Sequence, residues 1–199
     1  MALTEKQKKD LEEFALKKYD SLHDTHGRRH AYRTANIAEA IAQKEGANIE
    51  LCRYGALLHQ YHPEGIDEIR ERLQSISVGE STAEQIIHCV ESVEPEMIGK
   101  AETIEAKVVF DADKLQTLGS FGLFREVIYR TATNDIEFLD VVEESRMLQD
   151  QMYELIQTET GKQIAKDLVN QSAWILASFD KWKALGDEDP GTRLRSILP

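Results

Sequence analysis

The chain has 199 residues, 41% of them hydrophobic, enough apolar material for one buried core and an argument for one domain rather than two. Its formal net charge of -12, from 24 basic and 36 acidic side chains, argues against broad contact with a nucleic-acid backbone or an anionic membrane. Any small anionic ligand must therefore find a local basic pocket. The two cysteines, Cys52 and Cys89, lie inside apolar helical patterns rather than at metal-knuckle spacing, which fits a reduced compartment. The first residues contain no long apolar segment and no later run approaches membrane-spanning length, so the expectation is a cytoplasmic protein.

Nearly every segment carries a helical period. Thr4 with Gln7 three places on reads as a capping box, opening a charged helix whose apolar positions include Leu11, Phe14, Ala15 and Tyr19. A second helix is predicted around residues 27 to 45, with Ala31, Ala35, Ala38, Ile41 and Ala42 on one face and Gly46 as its stop. Asn48 can cap a third, which carries Leu51, Tyr54, Leu57 and Leu58 and has His59 in its last turn before Pro63. A polar, charged stretch follows to Ser77. Ser81 and Glu84 then read as a capping box for a helix holding Ile86, Ile87, Cys89 and Val90, ended by Glu94-Pro95-Glu96. Thr103 to Leu118 is predicted as a buried helix stopping at Gly119. From about Asp135 to Leu185 the pattern is again amphipathic, with Leu139, Met147, Met152, Leu155, Ile164, Leu168, Trp174, Ile175 and Phe179 available to cover the core. The reading is one all-α bundle over residues 1–185 and a polar tail over 186–199.

The chemistry gathers at histidines and aspartates. His26 and His30 lie four apart, so on one helix they would face the same way. In Ala56-Leu57-Leu58-His59-Gln60 an apolar helical run ends in two adjacent side chains where a metal could sit. Each histidine alone would more often cap or pack a helix. Asp111 and Asp113, two apart, point to roughly opposite sides of a helix and cannot easily serve one ion together.

Taken in order, these stretches resemble the HD superfamily of metal-dependent phosphohydrolases. His26-x-x-x-His30-Ala31-Tyr32-Arg33 is similar to the context of that family's first metal histidine, and Ala56-Leu57-Leu58-His59-Gln60 to the Ala-Leu-Leu-His-Asp of its signature dipeptide. Asp111-Ala112-Asp113-Lys114-Leu115, followed by a glycine-bracketed turn from Gly119 to Gly122, is similar to the context of its last carboxylate. Gln157 to Ala165 is similar to the C-terminal helical segment of one bacterial and archaeal branch. The resemblance implies a single-domain HD bundle with His30, His59, Gln60 and Asp113 around a divalent Mn, Mg, Zn or Fe ion. It also implies Lys114, Arg33 and Arg125 near a phosphorylated substrate, Arg29 as a neighbour, and His26 and Asp111 as supports.

Two departures stand out: Gln60 replaces the signature aspartate, and Val93 stands where a histidine commonly closes a helix lining the site. A neutral amide leaves the ligand set with one formal negative charge, which weakens metal affinity unless His62 or His88 compensates. The expected function is a phosphohydrolase with a weakened metal site, acting on a small phosphorylated metabolite or nucleotide. The alternative is a catalytically silent HD domain that binds a small anion or a protein partner. Self-association as a homodimer stays open.

Overall fold

The computed structural model describes residues 2–186, within which there are nine α-helices joined by short turns and no strand. None of these helices is long and apolar enough to cross a membrane. Helix α1 (Glu5–Tyr19) starts at Thr4 with both halves of the expected capping box in place. Helix α2 (Arg28–Glu45) ends at Gly46, whose φ of 71° is the left-handed turn that only glycine adopts freely. Helix α3 (Ile49–Leu58) starts at Asn48, which accepts from the Glu50 and Leu51 amides. It stops one residue early: His59 to Tyr61 form a tight 3-10 turn, so His59 lies just past the helix rather than inside it.

Helix α4 (Ile66–Ser75) occupies the polar, charged stretch to which no helix was assigned. Its buried stripe is only Ile69 and Leu73, and Asp67 and Glu68 in the first turn complement the helix dipole, so charge hid a thin apolar face. Helix α5 (Glu80–Glu91) is capped by Gly79. Ser81 is already inside it, and the predicted Ser81–Glu84 box does not form. Helix α6 (Ile104–Lys114), capped by Thr103, gives way to a 3-10 turn from Leu115 to Thr117. Helix α7 (Gly119–Thr133) begins inside the expected glycine turn. Gly122 lets that turn close, because a Cβ there would lie 2.1 Å from the Thr117 carbonyl carbon and oxygen.

The centre of the bundle is α2, α3, α5 and α6. The stripe of Ala31, Ala35, Ala38 and Ala42 on α2 is fully buried, and such small side chains let α3 and α6 approach closely. Ile41, Leu57, Leu58, Ile86, Ile87, Phe110 and Leu118 fill the core. Helices α8 (Phe138–Leu155) and α9 (Glu159–Ala184) lie beyond α7. They cover the core less than expected: Met152 is buried, but Leu155, Ile164, Leu168, Ile175 and Phe179 are half-buried, and Leu139, Met147 and Trp174 are exposed. The tail reading at 187–199 lies outside the described residues.

Candidate metal centre

Three helix ends converge. His30 comes from the first turn of α2, His59 from the turn after α3 and Asp113 from the last turn of α6, and all three are buried. His30 Nε2 lies 3.1 Å from His59 Nε2, and Asp113 Oδ1 lies 3.3 Å from the first and 3.4 Å from the second. A cation bonded at ~2.1 Å to three ligands at angles between right and tetrahedral would hold its donors about 3.0–3.4 Å apart. The triangle fits a divalent ion without rearrangement, and two imidazoles with one carboxylate form a donor set suited to Zn, Fe or Mn.

The rings are held from behind. His59 Nδ1 is 2.6 Å from the Ala56 carbonyl, which takes its N–H and leaves Nε2 as the lone pair facing the centre, with the Tyr19 hydroxyl 3.1 Å from the same Nδ1. His30 Nδ1 lies 3.2 Å from Gln116 Oε1 and 3.1 Å from Arg125 Nη1. Gln60 places its amide nitrogen 3.0 Å from His59 Nε2. Because oxygen and nitrogen of a primary amide are nearly the same shape, a half-turn presents the carbonyl to the same point.

Electrostatics keep the centre anionic. Burial opposes ionisation of Asp113, but the Lys114 ammonium, followed by the adjacent His59 and His30 rings, outweighs it and holds the carboxyl well below its usual range. Burial likewise opposes the Lys114 charge, and Asp113 restores it, leaving the ammonium above its ordinary value. Lys114 Nζ sits 2.8 Å from Asp113 Oδ2, so it is bound to the ligand itself rather than free on the cleft wall. Burial holds His30 below its ordinary value.

The other expected residues fall in several places. His26 ends a 3-10 turn from Asp24, and Gly27 separates it from α2, so it does not share a helix with His30 as the spacing suggested. Its ring nevertheless lies 5.5 Å from that of His30 and 4.6 Å from that of Tyr129. Burial, followed by the Arg125 charge, lowers its pKa from 6.5 to about 3. Arg33 does not line the cleft: its Nε donates to Gln116 Oε1 at 3.1 Å and its guanidinium stacks 4.9 Å above Phe121. Arg29 is exposed and also outside the cleft lining. Arg125 does line it, and its Nη2 pairs with Glu126 at 3.1 Å. Asp111 faces away, accepting from the Gln157 amide at 2.8 Å, the Thr158 amide at 2.7 Å and the Thr158 hydroxyl at 2.6 Å. It anchors the start of α9. His62 and His88 line a separate cleft with Pro63, Ile66, Glu91 and Met97, so neither stands in for the missing aspartate. Val93 is buried.

Gln116 and Tyr19 were not read from the sequence as site residues. Gln116 lies three places after Asp113, the spacing that keeps two side chains on one side of a helical turn, and that signal was available. Tyr19 carried none, being 40 residues from the His59 it touches.

The centre opens into a cleft of about 690 Å³ lined by His26, His59, Gln60, Asp113, Lys114, Arg125 and Tyr129, with Glu94 and Glu96 at its edge. Residues 27–118, which carry all three converging side chains, match the HD domain family. Over that segment the chain is similar to the HD-domain superfamily. Over 122 residues it is 30% identical to YpgQ of Bacillus subtilis, a stretch spanning 55% of this chain and 58% of that protein. The crystal structure of YpgQ in complex with ADP matches with a TM-score of 0.73 at 21% identity, covering 88% of this chain and 94% of that one. A Lactobacillus plantarum protein matches with a TM-score of 0.80 at 22% identity, covering 92% and 100% of the two chains. An HD-superfamily hydrolase of Bacillus thuringiensis matches with a TM-score of 0.71 at 24% identity, over 90% of this chain and 98% of that one. At these identities the structural likeness speaks for the fold.

Proposed function

We propose that this protein is a metal-dependent phosphohydrolase acting on a small phosphorylated metabolite or nucleotide. The observation that carries the reading is the triangle of His30, His59 and Asp113 donor atoms, 3.1–3.4 Å apart at the floor of an open cleft. The ADP held by YpgQ supports a nucleotide in particular. A divalent cation, when bound, supplies Lewis-acid polarisation of a phosphoryl oxygen and a lowered pKa for coordinated water. Asp113 and the two imidazoles would hold that cation, with the Gln60 carbonyl turned inward as a fourth, neutral ligand. Lys114 orients Asp113 by binding its outer oxygen and contributes positive charge beside the scissile phosphate. Arg125 adds a second cation on the cleft wall, while Arg33 acts from behind through Gln116. His26 stays neutral at working pH and offers the substrate a hydrogen bond.

A second reading, a silent domain that binds a phosphorylated ligand without turning it over, is favoured by one observation. Gln60 supplies no charge where a hard cation wants an anion. The test is elemental analysis of purified protein beside a screen of nucleotides and phosphorylated metabolites with added Mn²⁺. Bound metal and turnover abolished by His59→Ala support the enzyme. Saturable ADP binding with neither metal nor turnover supports the silent domain.

A further inference from the structure

The tryptophans of this chain are Trp174 and Trp182, and both stand out of α9 into solvent, 78% and 64% exposed. With Ile175, Phe179 and Phe138 of α8 they line a groove of about 620 Å³, where Phe138 is itself 69% exposed and its ring meets that of Phe179 at 5.8 Å. Large aromatic side chains left in water along one groove mark a contact with another molecule. The groove shares no lining residue with the cleft at the metal centre.

The charges on α9 say which molecule. Lys162 pairs with Glu159 at 3.0 Å, Asp180 with Arg146 at 2.6 Å and Lys183 with Glu143 at 2.9 Å. Lys166, Asp167 and Lys181 are left over, exposed and with no ion-pair partner among the described residues. Asp167 and Lys181 lie seven residues before and seven after Trp174, about two helical turns each way, so the three side chains share one face of α9. Opposite charges at equal distances from a central aromatic make this face complementary to itself, which is what a two-fold contact between identical chains requires.

We propose that α9 packs antiparallel against α9 of a second copy, with Trp174 on the partner's Trp174 at the two-fold axis and Asp167 against the partner's Lys181 on both sides of it. A parallel pairing would set each charge against its own copy. Sliding the antiparallel pair by one residue would set Lys166 against the partner's Lys181, like against like. The charges thus fix direction and register, while the covered aromatics supply the affinity.

The experiment is analytical ultracentrifugation of the full chain over a range of concentrations, with quenching of tryptophan fluorescence by acrylamide in the same samples. Wild type is expected to sediment as a dimer, with quenching that falls as concentration rises, because both tryptophans report on this face. Asp167→Lys or Lys181→Asp alone sets like charges together twice and should raise the dimer dissociation constant by roughly tenfold. The double exchange, Asp167→Lys with Lys181→Asp, restores both pairs and should return it to within about threefold of wild type. That return also shows that each single change left the fold intact. Trp174→Asp puts a charge at the axis and should weaken the dimer by at least ~30-fold. A wild type that stays monomeric overturns the proposal, and tryptophans shielded from acrylamide in that monomer would assign the groove to the chain beyond residue 186 instead. A dimer indifferent to Trp174→Asp, or a double exchange no better than the single changes, would place the contact elsewhere and overturn it too.

Discussion

Gln60 differs from the signature aspartate by a neutral amide and one extra methylene, and that makes it the most informative single substitution. Gln60→Asp puts a shorter, anionic side chain where the amide nitrogen now lies 3.0 Å from His59 Nε2, and should tighten divalent-metal binding at least tenfold, about 1.4 kcal/mol. Calorimetry with Mn²⁺ and Mn²⁺-stimulated turnover in one buffer check it; unchanged affinity would mean that the amide already serves as a full ligand. His26 gives a pH dependence. Its folded pKa of about 3 lies below the ordinary 6.5, so between these values the unfolded chain binds the extra proton and folding loses stability as pH falls. The contribution is complete above about pH 6.5 and disappears toward 3, so His26→Gln should flatten the decline of melting temperature between pH 6.5 and 4. At this scale the sequence was partly legible. Helix geometry required a choice between Asp111 and Asp113, and the resemblance carried by the flanking residues pointed to Asp113. Arg33 was misplaced, since sequence cannot tell a guanidinium facing a cleft from one buried behind a glutamine.

Helix ends followed their chemistry where a side chain does the capping, as at Thr4, Asn48 and Thr103, and failed where glycine caps with backbone alone, as at Gly79. Helix α7, of which only the glycine turn at its start was read, was hidden for a different reason. Its buried face is Gly119, Gly122, Leu123, Arg125 and Glu126, while Phe121, Phe124 and Ile128 face outward, so it shows no apolar stripe of the usual kind. That arrangement makes Gly122 a packing requirement. Gly122→Ala would set its Cβ against the Thr117 backbone, which cannot swing aside, and should cost about 3 kcal/mol in chemical denaturation. A loss below 1 kcal/mol would show that the turn before α7 yields easily.

Across the molecule, the α8–α9 pair is held to the bundle by the apolar contacts of Met152, Ile156 and Ala165 and by a buried carboxylate. Asp111 is fully buried, and burial raises its pKa to about 6 despite the donors from Thr158 and Gln157. Gly161 makes room for it, since a Cβ there would come within 2.4 Å of Asp111 Oδ2. Asp111→Ala strands two backbone amides and should destabilise the protein by about 3 kcal/mol, with amide exchange accelerating first at Thr158 and Gly161. Uniform acceleration throughout the chain would argue instead for a general loss of stability. The overall all-α architecture was legible because nearly every segment keeps a helical period. The attachment of the last two helices was less so: Asp111 read as a supporting carboxylate, but nothing in the sequence paired it with the Gln157 and Thr158 amides 46 and 47 residues away.

Asp111 sits two residues from Asp113 on the same helix, and Tyr19 reaches His59 from the opposite flank of the chain. The segment from 27 to 118 holds the converging donors but lies between these two attachments, each supplied from outside it. It is therefore not an autonomous module. A chain trimmed to that segment would leave the buried Asp111 carboxylate without its donors and His59 without the Tyr19 hydroxyl beside it, so a piece meant to be transplanted, shuffled or expressed alone is expected to need everything from α1 to the first turn of α9.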